Sequence, residues 1–126
     1  MTLFALAAVV ALIAINSVFV ATEFALLTSR TSRLQTRAEG GSRGARLALA
    51  ARTDLRRQMS GAQLGITLSS VALGILAEPA IGPWVSSALE PVGVPEAAVE
   101  TTGWLVALAG ASVLQMLFGE LVPKNL

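Results

Sequence analysis

Three stretches of this chain contain no Asp, Glu, Lys or Arg: Met1 to Thr22, Met59 to Ala77 and Thr101 to Gly119. Each is 19 to 22 residues long, close to the roughly 20 that carry an α-helix across about 30 Å of hydrocarbon. Composition agrees: only 13% of the residues are charged and 54% are hydrophobic, where a water-soluble domain carries about a quarter charged. A soluble domain and a disordered chain are both excluded. The expected fold is an all-α membrane protein with three transmembrane helices, spanning about 2–28, 59–77 and 101–121, plus juxtamembrane helices. A cleaved signal peptide does not fit the first run, which has no basic leader and is long enough to cross the bilayer.

The charges that remain are segregated. Eight of the nine basic residues are arginines within segment 29–58, between the first and second spans, opposed there only by Glu39 and Asp54, a net of +6. The stretch between the second and third runs holds Glu78, Glu90, Glu96 and Glu100 and no basic residue. Basic residues near span ends are retained in the cytoplasm. Segment 29–58 is therefore expected inside, 78–100 outside, and the N-terminus outside a cell membrane crossed several times. Within the basic segment, Ser29 to Ala38 and Ala45 to Asp54 read as helices separated by Gly40, Gly41 and Gly44. Arg33 and Arg37 share a helical face with Arg30, a face suited to anionic lipid heads or simply to water. A nucleic-acid surface is not expected, because no aromatics are interleaved with the arginines. The outer segment, with Pro79, Pro83, Pro91, Gly93 and Pro95, reads as broken, with a short amphipathic piece from Trp84 to Leu89. Trp84 and Trp104 fit an interfacial aromatic belt.

The chain has no cysteine and no histidine. Disulfides, zinc-thiolate sites and histidine-assisted nucleophiles are thereby removed. What remains for chemistry is oxygen, which suits hard cations such as magnesium and calcium.

Polar groups inside a bilayer need partners, so each is a candidate for function. Ser60, Gln63, Thr67, Ser70 and Gly74 recur at spacings of three and four and form one stripe on the second span, with Gly61, Gly65 and Ser69 beside it. Such a stripe reads as small-residue helix packing or as the lining of a site, and the glutamine favours the lining. On the first span Asn16 and Glu23 share a face with Ser17 and Val20 nearby. On the third, Ser112, Gln115 and Gly119 share a face, followed by Glu120 and Pro123. A helical proline has no N–H for the carbonyl four residues earlier and its ring pushes that carbonyl aside. The Gly119 oxygen is therefore expected to leave the helix ladder beside a carboxylate, as half of a cation site.

These residues resemble a known family. Asn16-Ser17-Val18-Phe19-Val20-Ala21-Thr22-Glu23-Phe24-Ala25-Leu26, then Arg33-Leu34, Gly44 to Leu49, Gln63 to Ser70, and most specifically Gly119-Glu120-Leu121-Val122-Pro123-Lys124, look like the transmembrane domain of the CNNM/CorC magnesium transporters, once labelled hemolysin-like. The resemblance implies a homodimer of three-span domains in the lipid bilayer, exporting magnesium with sodium as coupling ion. It places the metal ligands at Asn16 or Ser17, at Ser69 and Ser70, at the Gly119 carbonyl and at Glu120. Many family members carry a serine where Val20 stands. The family also continues into a cytoplasmic CBS-domain pair, so this chain is expected to be a membrane domain truncated before that pair. The rival expectation is a non-transporting membrane anchor or regulatory scaffold, in which the stripes only pack helices. An enzyme is not expected, for want of a nucleophile and base.

Overall fold

The structure, a computed structural model, describes residues 2–125; Met1, which opens the first uncharged run, and Leu126 lie outside them. Helix α1 runs from Thr2 to Thr28, α2 from Thr31 to Glu39, α3 from Arg43 to Thr53 and α4 from Leu55 to Leu89. A 3-10 turn, Glu90–Val92, leads to α5 from Glu96 to Leu114. That helix widens into a π-helical segment, Gln115–Leu121, and ends in a single turn, α6, Val122–Asn125. No strand occurs among the described residues. Three helices are long and apolar enough to cross a membrane: Leu3–Thr28, Leu55–Val92 and Glu96–Asn125.

The outward faces are those of a bundle that meets hydrocarbon. Phe4 is 81% exposed and Ile75 70%, while the seams are closed by small side chains. Ala77, Ala80, Ala107 and Ala111 are buried, as are Gly82 and Gly103. Lipid supplies no hydrophobic drive between helices, so close backbone approach through such residues takes its place. Helix α4 is central: α1 packs on one side of it and α5 on another, and α1 also meets the π segment and α6. Where α1 crosses α4, the ring of Phe19 rests on bare backbone at Gly65, and a Cβ there would stand 2.5 Å from its Cζ.

The two arginine-bearing helices are joined by a turn in which Gly41 adopts φ +92°, a conformation glycine reaches without a Cβ clash. Ser42 then caps α3, accepting from the Ala45 N–H at 3.3 Å. Gly44 lies inside α3 rather than in the break.

The outer segment corrects one expectation. It is broken, but not where the first prolines stand: α4 continues through Pro79 and Pro83. Trp84 to Leu89 is the end of that helix rather than a separate piece. The interruption comes at Gly93, left-handed at φ +73°, followed by Pro95 at the entrance to α5. Proline inside a membrane helix costs less than in water when neighbours support the freed backbone, and here Ala77, Ala80 and Gly82 are all packed against neighbours.

Candidate functional site

Asn16 lies at the middle of α1, where an unpaired amide is costly. It is 1% exposed and is the bulkiest side chain enclosed so fully among the described residues. Its Nδ2 donates to the Gly119 carbonyl at 3.2 Å. Its Oδ1 faces the Ser69 hydroxyl at 3.0 Å. One amide thus ties all three spans together.

Each partner is positioned by a local feature. Pro123 has no N–H to offer Gly119, and the helix widens over Gln115–Leu121 immediately before it. The carbonyl leaves the α-helical ladder as the sequence indicated, and the Asn16 amide takes it up. Gly119 must be a glycine for this approach, since a Cβ would stand 2.8 Å from Asn16 Nδ2. Ser69 is placed by α4 and has one proton with three oxygens in reach. Besides Asn16 Oδ1, the Gly65 carbonyl lies at 2.7 Å and the Ile66 carbonyl at 3.1 Å. It can therefore donate across to α1 or back into its own helix.

Ser70 is one residue further and about 100° round the helix. It belongs to a different contact: its hydroxyl donates to the Ile66 carbonyl at 2.8 Å and accepts from Gln115 Nε2 of the third span. Ser70 and Gln115 line a cavity of about 310 Å³ with Gly74, Ser112 and Glu120. Glu120, half-buried, also borders a second cavity of about 300 Å³ lined by Glu23, Gln63, Thr67 and Lys124. Towards the other end of the bundle, Gly74 and Leu108 are shared with a wider cavity of about 840 Å³ that carries Glu78, Glu100, Thr101 and Trp104.

Three cavities therefore follow one another along α4, linked by Glu120 and by Gly74. The stripe read from the sequence is their wall: Gln63 and Thr67, then Ser70 and Gly74. Ser60 and Ser17 line none of the three. Two stripe hydroxyls are satisfied within their own helices, Thr67 on Gln63 at 2.9 Å and Ser112 on Leu108 at 2.7 Å.

Of the six metal candidates, Asn16, Ser69 and Gly119 meet directly, and Ser70 and Glu120 share the adjacent cavity. Ser17 stands apart. The donor set is hard oxygen throughout, which fits a magnesium-like cation and not a soft metal. The sequence marked Glu23 as sharing a face with Asn16 and Lys124 as the end of the Gly119–Lys124 string, and assigned neither to the site; both line the second cavity that Glu120 borders. It missed Arg52 altogether. Arg52 is half-buried, and its Nη1 donates to the Leu26 carbonyl at 2.7 Å, to the Ser29 carbonyl and to Ser29 Oγ at 3.0 Å. A cation thereby caps the C-terminal end of α1, where the helix dipole favours it. Nothing in the sequence separates Arg52 from its seven neighbours.

Residues 7–126 match a family model described as the Cyclin M (CNNM) transmembrane N-terminal domain. Among curated proteins, the chain is 40% identical over 114 residues to the UPF0053 protein YhdT of Bacillus subtilis, covering 90% of this chain and 25% of that protein. It is 39% identical over 115 residues to the uncharacterized protein Rv1841c of Mycobacterium tuberculosis, covering 91% and 32%. A third relative, the UPF0053 protein YugS of Bacillus subtilis, is 34% identical over 125 residues, covering 99% and 29%. The chain thus spans only a quarter to a third of these relatives. No solved structure matches it.

Proposed function

Because the chain belongs to the CNNM family of transmembrane domains, a family linked to divalent-cation transport, we propose that it is the membrane part of a magnesium transporter. The observation that carries this reading is the meeting of Asn16, Ser69 and Gly119 from three different spans beside a cavity bordered by Glu120. In this reading Asn16 Oδ1, the Ser69 and Ser70 hydroxyls, the Gly119 carbonyl and the Glu120 carboxylate replace water around the ion. Asn16 is preferred over Ser17 because it alone stands at the meeting point. Magnesium demands near-octahedral oxygens at about 2.0–2.1 Å and usually keeps several waters. Four neutral oxygens and one carboxylate hold such an ion without trapping it, as conduction requires.

With the arginines inside and the N-terminus outside, the cavity of Glu23, Gln63 and Thr67 opens toward the cytoplasm, and that of Glu78 and Glu100 toward the exterior. Export then moves the ion from Glu23 past Glu120 to Glu78, with sodium entering in exchange at the same oxygens. A homodimer in the cell membrane is part of the proposal, because Gln63 and Thr67 are exposed at membrane depth and a second copy would cover them. The remaining length of the relatives would hold the cytoplasmic CBS pair.

The rival reading, a non-transporting anchor or regulatory scaffold, draws on the fact that no buried side-chain nitrogen or oxygen lacks a partner among the described residues. Magnesium binding by calorimetry and magnesium flux in proteoliposomes separate the two. Transport predicts that Glu120→Ala and Ser70→Ala each lose binding and flux. If both variants keep wild-type affinity and flux while the bundle is merely less stable, the scaffold reading stands instead.

A further inference from the structure

Seven of the eight arginines between the first two spans, Arg30, Arg33, Arg37, Arg43, Arg46, Arg56 and Arg57, are exposed; only Arg52 is turned inward. The segment carries just Glu39 and Asp54 against them. Arg33 and Arg37 stand one turn apart on α2, while Arg43 and Arg46 stand at the start of α3. Next to Arg46, Leu47 is 72% exposed. A bare leucine among arginines is the pattern of a helix lying in a membrane interface, with cations at phosphate level and an apolar side chain reaching inward.

The depth of this surface follows from the helix beside it. The first span is 26 residues, about 39 Å at roughly 1.5 Å per residue, which nearly equals the roughly 40–45 Å of a bilayer with its headgroups. Its last turn therefore reaches headgroup level. Helix α2 begins at Thr31, three residues after α1 ends at Thr28. Arg52 ties α3 to Leu26 in that last turn and to Ser29 just after it, which holds the pair of helices beside the end of α1.

We propose that α2 and α3 form a binding surface for anionic phospholipid headgroups, with Arg33, Arg37, Arg43 and Arg46 on the phosphates and Leu47 among the upper acyl carbons. Guanidinium suits this role through paired, charge-assisted hydrogen bonds to phosphate oxygens. The interaction is electrostatic at an exposed surface and weakens with salt. This site is separate from the cation pathway and does not depend on it.

The test compares the chain in nanodiscs of dioleoylphosphatidylcholine alone with nanodiscs that also contain dioleoylphosphatidylglycerol, following thermal unfolding by circular dichroism. Phosphatidylglycerol should raise the midpoint of the wild-type chain by several degrees, and high salt should shrink that rise. The combined variant Arg33→Gln, Arg37→Gln, Arg43→Gln and Arg46→Gln should unfold like wild type in phosphatidylcholine and lose most of the rise. If that variant does not fold, mass spectrometry of lipid retained by the wild-type chain from an equimolar mixture decides, with several-fold enrichment of phosphatidylglycerol expected. Equal midpoints in both lipids, an undiminished rise in the folded variant, or equal retention of the two lipids would overturn the proposal. So would an equal rise given by soluble glycerol phosphate, which would assign the arginines to a free phosphate ligand.

Discussion

Replacing Gly119 by alanine puts one carbon into the meeting point of the three spans. Its Cβ would lie 2.8 Å from Asn16 Nδ2 and 3.3 Å from Gln115 Cγ, against the roughly 3.5–4.0 Å of an unstrained contact. The amide must retreat, and its 3.2 Å bond to the Gly119 carbonyl is lost. That carbonyl has no α-helical donor, because the residue four positions on is Pro123. A buried acceptor left without a partner costs about 1–3 kcal/mol, and crowding a packed seam adds about 1 kcal/mol or more. Alanine recovers about 1 kcal/mol at most through its higher helix propensity. The net expectation is destabilisation by about 1–3 kcal/mol. Gly110, on the same span, has nothing within 4 Å of an added Cβ, so Gly110→Ala should stabilise by about 0.5–1 kcal/mol. Unfolding both variants in mixed micelles reads the difference directly. If Gly119→Ala raises stability as Gly110→Ala does, the carbonyl is not held by Asn16 and the reasoning fails.

Two other perturbations probe the frame around the site. Arg52→Gln removes charge-assisted bonds from the end of α1 and should cost about 1–2 kcal/mol after allowance for its partial exposure; an unchanged unfolding midpoint would show that the contact carries no stability. Pro83→Ala supplies an N–H where the Pro79 carbonyl has no donor and should stabilise α4 by up to about 3 kcal/mol, and a loss of stability in the same assay would mean that the proline ring itself packs usefully.

The spans were legible because twenty uncharged apolar residues have few other uses, and that argument is indifferent to packing. The freed Gly119 carbonyl was legible too, since it follows from the covalent structure of Pro123 alone. Its partner was not. Periodicity marks Asn16 as a buried amide in need of a bond, but which helix answers depends on how α1 crosses α4 and the π segment. Ser69 and Ser70 show the same limit: adjacent in sequence, they point about 100° apart, so one joins Asn16 and the other Gln115. The uninterrupted passage of α4 through Pro79 and Pro83 escaped a reading built on the cost of proline in water. Arg52 escaped because capping a neighbouring helix requires knowing which helix end lies nearby.

The amide of Asn16 has a thermodynamic consequence for anything that binds beside it. Its Nδ2 and Oδ1 join three helices through hydrogen bonds at one point, to the Gly119 carbonyl and from the Ser69 hydroxyl, and the oxygens in those bonds are the same atoms a hard cation would claim. A ligand taking them must first separate those links, so its apparent affinity falls below what its coordination chemistry alone would provide. An ion held by those oxygens would itself bridge the three spans, so its arrival would exchange one set of ties between the helices for another. Occupancy and helix arrangement would then be two descriptions of one equilibrium, and a substitution that weakens the three-way knot should tighten ion binding unless it also removes a ligand.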